Sequence, residues 1–317
     1  MRDPQRDRLL FEAATLYYEH NLSQAQIASR MEISRPSVSR LLQAARDAGI
    51  VRIQIIDPGA TGTRLESALK SQYGLKYCVV VPFDENDTGS LKSRLGASLI
   101  SLLDDLLDEE TTLGISWGST MQAATRHLKP RPLKNMTVVQ LNGGVSKAEL
   151  DTHASEIAQR IGENYSAIPY LLPLPAVVDN AALKQAILSD RNIAKTLKLA
   201  READIAAFTV GAFGPESVLV QADYFEPSEV EQLIQAGAVA DICSRLITSD
   251  GSICSPELNQ RTIGTELEEI KAIPVSIAVA GGPEKARAIQ AGIKGGWFNS
   301  LITDERVAKA LIGEGEA

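Results

Sequence analysis

From Lys76 onward, short apolar runs alternate with stretches of helical periodicity, and several of the apolar runs end in glycine-rich turns. The runs cover 77–81, 112–116, 137–140, 205–210, 275–280 and 300–303, and helical spacing fills 90–107, 119–128, 153–164, 181–200 and 283–293. This alternation predicts an α/β domain: a largely parallel sheet covered by helices in three layers. The glycine turns are Trp117-Gly-Ser-Thr120, Asn142-Gly-Gly144, Val210-Gly-Ala212 and Gly281-Gly282. In an open α/β sheet, ligands bind beyond the carboxyl ends of the strands, so these turns are where a small molecule is expected.

The first 75 residues follow another pattern. A chain of 317 residues is long for one domain, and a boundary is expected before the α/β region. Asp57-Pro-Gly-Ala-Thr-Gly-Thr63 is rich in turn formers and reads as a linker, dividing a domain of residues 1–56 from one of 57–317. Arg64–Tyr73 reads as a helix able to pair with its copy in a second subunit. Net charge is −8, from 32 basic and 40 acidic residues, which argues against a general nucleic-acid coat. The imbalance is uneven, however. Residues 1–56 carry eight Arg, no Lys and six acids, and residues 21–46 carry four Arg against Glu32 alone. A small basic reader joined to an acidic body gives such an asymmetry, as does an ordinary solvated surface.

Residues 8–19 have helical spacing, with Leu9, Leu10, Ala13, Leu16 and Tyr17 on the apolar stripe. Ser23 followed by Gln26 is a capping-box pattern and opens a short helix running to Met31. Ser34 caps a third helix with Pro36 in its first turn, and Val38, Leu41, Leu42 and Ala45 form its buried stripe. Residues 51–55 alternate like the strand of a wing. Two short helices joined by a tight turn, the second polar on its outer face, have the geometry of a helix-turn-helix. Ser23 and Gln24 at the first helix start, and Arg35, Ser37, Ser39, Arg40 and Gln43 on the second helix, are the expected contacts to double-stranded operator DNA. Arg suits guanine edges and Ser suits bases or phosphates. A solvated arginine face is the bland alternative.

Three cysteines, Cys78, Cys243 and Cys254, lie far apart without any CxxC or Cys/His spacing, so neither a disulfide framework nor a metal site is expected. No cofactor is expected either. The N-terminus lacks the apolar core of a secretion signal, and no run of about 18 apolar residues exists, so a cytoplasmic protein without membrane contact is expected.

Residues 16–42, LYYEHNLSQAQIASRMEISRPSVSRLL, resemble the N-terminal signature of the SorC family of sugar-responsive bacterial regulators. The likeness continues through Gly114-Ile-Ser-Trp-Gly-Ser-Thr-Met121, Val138-Val-Gln-Leu-Asn-Gly-Gly144, Gly237-Ala-Val-Ala-Asp-Ile242 and Ala278-Val-Ala-Gly-Gly-Pro-Glu-Lys285. Leu172-Pro-Leu-Pro175, Asp179-Asn180 and Asp241-Ile-Cys-Ser-Arg245 are similar to the deoxyribonucleoside-responsive branch. The resemblance implies a winged helix-turn-helix followed by an α/β domain similar to sugar-phosphate isomerases. It further implies a homodimer or homotetramer, and repression of a sugar or deoxyribonucleoside operon relieved by a phosphorylated sugar such as deoxyribose 5-phosphate.

Gly118, Ser119 and Thr120, between a strand and a helix, offer amide groups, a helix dipole and two hydroxyls suited to phosphate. Gly281-Gly282 followed by Lys285 supplies backbone approach and a cation. Asn142, Gly143 and Gly144 complete the expected pocket, with Asp241 accepting from sugar hydroxyls. On residues alone, Ser119 as a helix cap, Asp241 as a helix cap and Lys285 as a solvated lysine remain open. Two departures from the family pattern stand out. Ala240 replaces a glycine, a minor change. Asn142 stands where the deoxyribonucleoside branch has a lysine able to form a Schiff base; an amide cannot do that chemistry, so non-covalent binding is expected. An isomerase or deaminase-like enzyme is the alternative, but His20, His127 and His153 all lie away from the glycine turns; Asp241 and Glu284 remain possible general bases, without a convincing catalytic pair. A non-specific DNA binder is disfavoured by the acidic body.

Overall fold

The structure, a computed structural model, describes residues 4–18, 22–48, 50–51, 62–144 and 153–313. It falls into two compact units, Met1–Pro58 and Gly59–Ala317.

The first unit contains α1 (Pro4–Tyr18), α2 (Gln24–Arg30) and α3 (Arg35–Asp47). Ser23 opens α2 with a capping box: its hydroxyl accepts from the Gln26 amide while the Gln26 side chain accepts from the Ser23 amide at 2.9 Å. The Ser34 hydroxyl accepts from the Ser37 amide at 3.3 Å and starts α3, where Pro36 needs no hydrogen-bond partner. Ala13, Leu16, Ile27, Val38 and Leu42 bury together, with Leu10, Ala14 and Ala45 in a second patch, so the three helices share one small core. Glu32 turns the chain between α2 and α3 at φ 54°. Of the expected wing and linker, residues 52–61 lie outside the described residues, as do Gly49, His20 and Lys147.

The second unit opens with α4 (Gly62–Tyr73), β1 (Tyr77–Val81), α5 (Leu91–Leu106), β2 (Thr112–Ile115), α6 (Ser119–Thr125), β3 (Thr137–Gln140), α7 (Ala154–Tyr165) and β4 (Ile168–Tyr170). Next come α8 (Ala181–Leu188), α9 (Arg191–Arg201), β5 (Ile205–Phe208), β6 (Val210–Ala212), α10 (Val218–Gln221), α11 (Pro227–Gln235), β7 (Ala238–Ile242) and β8 (Arg245–Thr248). It closes with α12 (Pro256–Arg261), α13 (Leu267–Ala272), β9 (Val275–Val279), a 3-10 turn at Pro283–Lys285, α14 (Ala286–Gly295), β10 (Ser300–Asp304) and α15 (Glu305–Leu311). Seven strands form one parallel sheet in the order β1-β10-β9-β5-β2-β3-β4.

Burial on both faces explains why these strands read as continuous apolar runs. Leu113, Ile115, Ile205, Ala207, Ile277 and Val279 point into one core with Leu95, Leu99 and Leu103 of α5 and Ile157 and Ile161 of α7. Ala206, Phe208, Ala278 and Leu301 point into the other, with Ile289 of α14 and Val307 and Leu311 of α15.

Three sequence expectations need correction. The helix expected over 181–200 is two helices, because Asp190 accepts from the amides of Asn192 and Ile193 and starts a new one. The helix expected from Pro283 begins with a 3-10 turn, so α14 starts at Ala286. The apolar stripe of the helix expected to pair between subunits, Leu65 and Leu69 of α4, is fully buried against this chain's own β1 and α15 region and is not free for a partner. A three-stranded antiparallel sheet, β6-β7-β8, was not foreseen. Among the described residues, no helix is long and apolar enough to cross a membrane.

Candidate functional site

On the helix-turn-helix unit, Arg35, Ser39 and Arg40 are exposed on α3. Ser37 is half-buried; its hydroxyl lies 2.8 Å from that of Ser34 and accepts from Arg40 at 3.4 Å. Arg46 was absent from the expected contacts. It donates to the Tyr18 hydroxyl at 2.8 Å and to the Gln43 side-chain oxygen at 2.6 Å, so it sets the direction in which Gln43 presents its amide. The Ser23 hydroxyl is engaged with Gln26 in the cap, and Gln24 beside it is half-buried.

In the second unit, β2 and β5 are neighbours, but the chain leaves them in opposite directions. From β2 it moves outward to β3 and β4; from β5 it moves the other way to β9 and β10. Such a switch point leaves a crevice beyond the carboxyl ends of the two strands. A cleft of about 520 Å³ occupies that place. Gly118, Ser119 and Thr120 line it from the β2–α6 turn, the segment after β5 from Thr209 to Val218 lines the opposite side, and Asp241, Glu284 and Lys285 complete it. A smaller cleft of about 230 Å³, lined by Lys92, Gly281 and Gly282, shares Thr120, Glu284 and Lys285 with it. Gly118 sits at φ 127°, a conformation open to glycine, and its α-carbon faces the Thr209 side chain.

The remaining expected residues lie elsewhere. Asn142 and Gly143 are buried, Gly144 is half-buried, and none of the three lines either cleft. A Cβ on Gly143 would stand 2.6 Å from the carbonyl oxygens of Leu174 and Pro175, so glycine here permits backbone to pack on backbone. The Gly143 carbonyl accepts from the Trp117 indole at 2.7 Å, and the Gly144 carbonyl from the Tyr224 hydroxyl at 2.8 Å. Through Trp117, Gly143 braces the turn that carries Gly118. The Gly282 amide donates to the buried carboxylate of Asp304 at 2.7 Å, so it is already engaged within the fold.

Asp241 lies within β7, not at a helix start. Its Oδ1 is sealed from solvent without a hydrogen-bond partner, and burial pushes its carboxyl up to about 7, against the lowering effect of the Ser244 amide. Burial also lowers the Lys285 ammonium; Glu284 opposes this and Lys92 adds to it. The cleft therefore holds an ammonium depressed by desolvation and a carboxyl raised by it, both of which a polar ligand would relieve.

The raised Asp241 carboxyl carries a stability signature. The folded chain holds this proton more tightly than the unfolded one, so stability falls as pH climbs from about 4 through about 7. Asp241→Asn removes that slope. The variant should be more stable than the parent at pH 8 by on the order of 2 kcal/mol, allowing for partial exposure at about 1.4 kcal/mol per pKa unit. At pH 4 the two should match. Urea denaturation across this range checks it, and parallel pH curves would refute it.

The hydrogen-bonded turn at Cys243-Ser244 beside Asp241 went unrecognised. Both residues have positive φ, 49° and 67°, without the Asn-Gly or Asp-Gly pair that usually marks such a hairpin. Neither His127, paired with Ser93, nor His153, paired with Glu156, lines the cleft. Among the described residues, no three His, Cys, Asp or Glu side chains group to hold a metal.

Comparison with known proteins adds a consistent set of similarities. A family described as "Putative sugar-binding domain" matches residues 58–313, and the MarR family matches 14–59. The deoxyribonucleoside regulator of Bacillus subtilis (strain 168) is 38% identical over 312 residues, covering 98% of this chain and 99% of its own. The sorbitol operon regulator of Klebsiella pneumoniae is 28% identical over 307 residues, covering 96% and 98%. The crystal structure of full-length SorC from Klebsiella pneumoniae superposes with a TM-score of 0.73 at 27% identity, covering 97% of this chain and 99% of that one.

Proposed function

Because this chain belongs to the SorC family of sugar-binding transcriptional regulators, we propose that its cleft takes a phosphorylated sugar, such as deoxyribose 5-phosphate, and that the ligand releases the protein from operator DNA. It is a regulator with a DNA-binding helix-turn-helix and a sugar-binding domain, and not an enzyme. The supporting observation is the cleft at the strand switch point, whose lining brings together Lys285, Ser119, Thr120 and Asp241. An ammonium with hydroxyl donors suits a phosphate; a carboxyl suits sugar hydroxyls. Asn142, Gly143 and Gly144 stand behind the lining, where the Gly143 carbonyl holds Trp117 of the cleft wall, and Gly281 and Gly282 line the adjoining smaller cleft.

The α3 face with Arg35, Ser39 and Arg40 would enter the major groove, aided by Ser37 and Gln43, with Ser23 and Gln24 near the backbone. Only four arginines face one acid across residues 21–46, so tight binding calls for two or more copies reading spaced half-sites, in a homodimer or homotetramer. Repression is the proposed direction: the free protein holds the operator and the ligand selects a state that binds it less well.

Thermal-shift screening against pentose and hexose phosphates tests this reading. A ligand at about 100 times its Kd stabilises the folded state by about 2.7 kcal/mol. Phosphorylated sugars should raise Tm where the unphosphorylated sugars do not, and the same ligand should weaken operator binding. Because Asn142 lacks an amine, borohydride treatment with the bound sugar phosphate should leave the protein mass unchanged. A covalent adduct would overturn non-covalent binding, and no response to any sugar phosphate would overturn the reading of the cleft.

A further inference from the structure

We infer that Asn142 is a positioning residue for ligand recognition, acting through Ser244 to hold the Asp241 carboxyl in place at the cleft wall. The inference rests on the reading of the cleft as a sugar site, but its structural part stands apart from any ligand.

Asn142 lies beyond the carboxyl end of β3, and its backbone pairs with Gly264. That pairing fixes where the side chain leaves the chain. It is close: a Cβ on Gly264 would stand 2.8 Å from the Asn142 α-carbon, and Gly264 sits at φ 149°. From this anchored position the Asn142 amide donates to the Ser244 hydroxyl at 2.9 Å, a contact buried on both sides. Ser244 follows Asp241 by three residues in the β7–β8 hairpin, and its backbone amide favours the ionised Asp241 carboxyl. Asn142 thus reaches the cleft only through Ser244 and Asp241.

The turn between them needs such support. Cys243 and Ser244 both hold left-handed conformations, which cost side-chain-bearing residues of order 1 kcal/mol or more each and persist only where the surroundings over-determine them. Two side chains hold this turn from opposite ends: Asn142 grips Ser244, and the next residue, Arg245, donates to the carbonyls of Thr265 and Gly264 at 3.0 and 3.1 Å. Gly264 therefore links both supports. A loosened turn would let the Ser244 amide drift from Asp241, and the carboxyl would lose its set direction toward the ligand.

The test uses the full chain with Asn142→Ala, Ser244→Ala and the double variant; each removes the Asn142–Ser244 contact while a side chain stays at the left-handed position, so the turn keeps its need for support. The first readout needs no ligand. Asp241 titration is followed by carboxyl carbon NMR, assigned with Asp241→Asn. Losing a donor to the ionised form raises a carboxyl further, so both single variants should titrate above the parent. Cys243 beside it, and Glu216, Glu284 and Lys285 on the same cleft, are the other titratable groups facing Asp241 and are unchanged in every variant. The second readout is calorimetry with 2-deoxyribose 5-phosphate and with inorganic phosphate. Each single variant should lose on the order of tenfold in affinity for the sugar phosphate, the worth of about one hydrogen bond to a charged group. Inorganic phosphate should bind all of them within twofold, and the double variant should be no weaker than either single. An unmoved Asp241 titration, an additive double variant, or equal losses for sugar phosphate and inorganic phosphate would each overturn the positioning role. If no sugar phosphate binds even the parent, the sugar reading fails, and the Asp241 titration still decides whether Asn142 acts through Ser244.

Discussion

Lys285→Met should weaken sugar-phosphate binding by about 10- to 100-fold while leaving operator binding by the ligand-free protein intact. Lys285 is the cation common to both clefts, and burial depresses its ammonium. A phosphate arriving there restores the partner that desolvation withdrew, and hydrogen bonds to charged groups contribute about 1.5–3 kcal/mol. Methionine keeps the length and apolar contacts of the stem but offers no charge. The same change has a stability signature of known sign. A lysine depressed in the folded state binds its proton less tightly there than in the unfolded chain, so the parent gains stability as pH rises toward the ordinary lysine range. The Met variant should lack that gain and be no less stable than the parent at pH 7. Calorimetry with 2-deoxyribose 5-phosphate and urea denaturation at pH 7 and 9.5 check both. Affinity within threefold of the parent would place the phosphate elsewhere in the cleft.

The parts of this fold that were legible in the sequence are those where one physical requirement leaves one pattern. Ile205–Phe208 and Val275–Val279 are buried on both faces, and only continuous apolar runs meet that demand. Ser23 with Gln26, and Ser34 with Pro36, are caps whose chemistry is local, so they read correctly. Other parts share one pattern between two causes. Gly143 and Gly144 were expected to complete a ligand pocket, and glycine is equally needed where Gly143 meets the carbonyls of Leu174 and Pro175. The stripe of Leu65 and Leu69 looks the same whether it packs on a partner or on its own sheet. Ala238–Ile242 carries small residues and one acid, and its hairpin turns through Cys243-Ser244, so neither strand nor turn announces itself. Lys92 entered the site by topology alone, since α5 lies far from Lys285 in sequence. Asp241 was found by its position after Gly237-Ala-Val-Ala, but its raised carboxyl depends on burial contributed by residues distant along the chain.

The largest expected effect on stability belongs to Arg245, a residue quoted in the family resemblance but given no role by sequence reasoning. Its side chain is fully buried at the start of β8. Burial lowers its guanidinium, and Glu266 opposes that by pairing with it at 2.8 Å. The fork also serves the Thr265 and Gly264 carbonyls. Glu266 is shared: its other oxygen takes Lys184 at 3.1 Å, and Lys184 donates to the Asn259 carbonyl at 2.9 Å. Arg245→Met fills much of the volume but leaves two backbone carbonyls without their donor and leaves Glu266 with Lys184 as its remaining cation. Glu266 is partly exposed and keeps Lys184, so the loss comes chiefly from the two carbonyls; an unpaired buried acceptor costs about 1–3 kcal/mol, and the variant should lose about 3 kcal/mol. Arg245→Lys should cost less, about 1–2 kcal/mol, because an ammonium keeps the charge but cannot span the carbonyls as a planar fork does. Urea denaturation at pH 7 ranks the three proteins. Because Arg245 directly follows Ser244, the Met variant should also loosen the turn that carries the Asp241 contact. Its sugar-phosphate affinity should then fall even where the protein remains folded, whereas inorganic phosphate held by Lys285 should bind as before. A Met variant within 1 kcal/mol of the parent would mean that Lys184 alone satisfies Glu266 and that the two carbonyls find other donors.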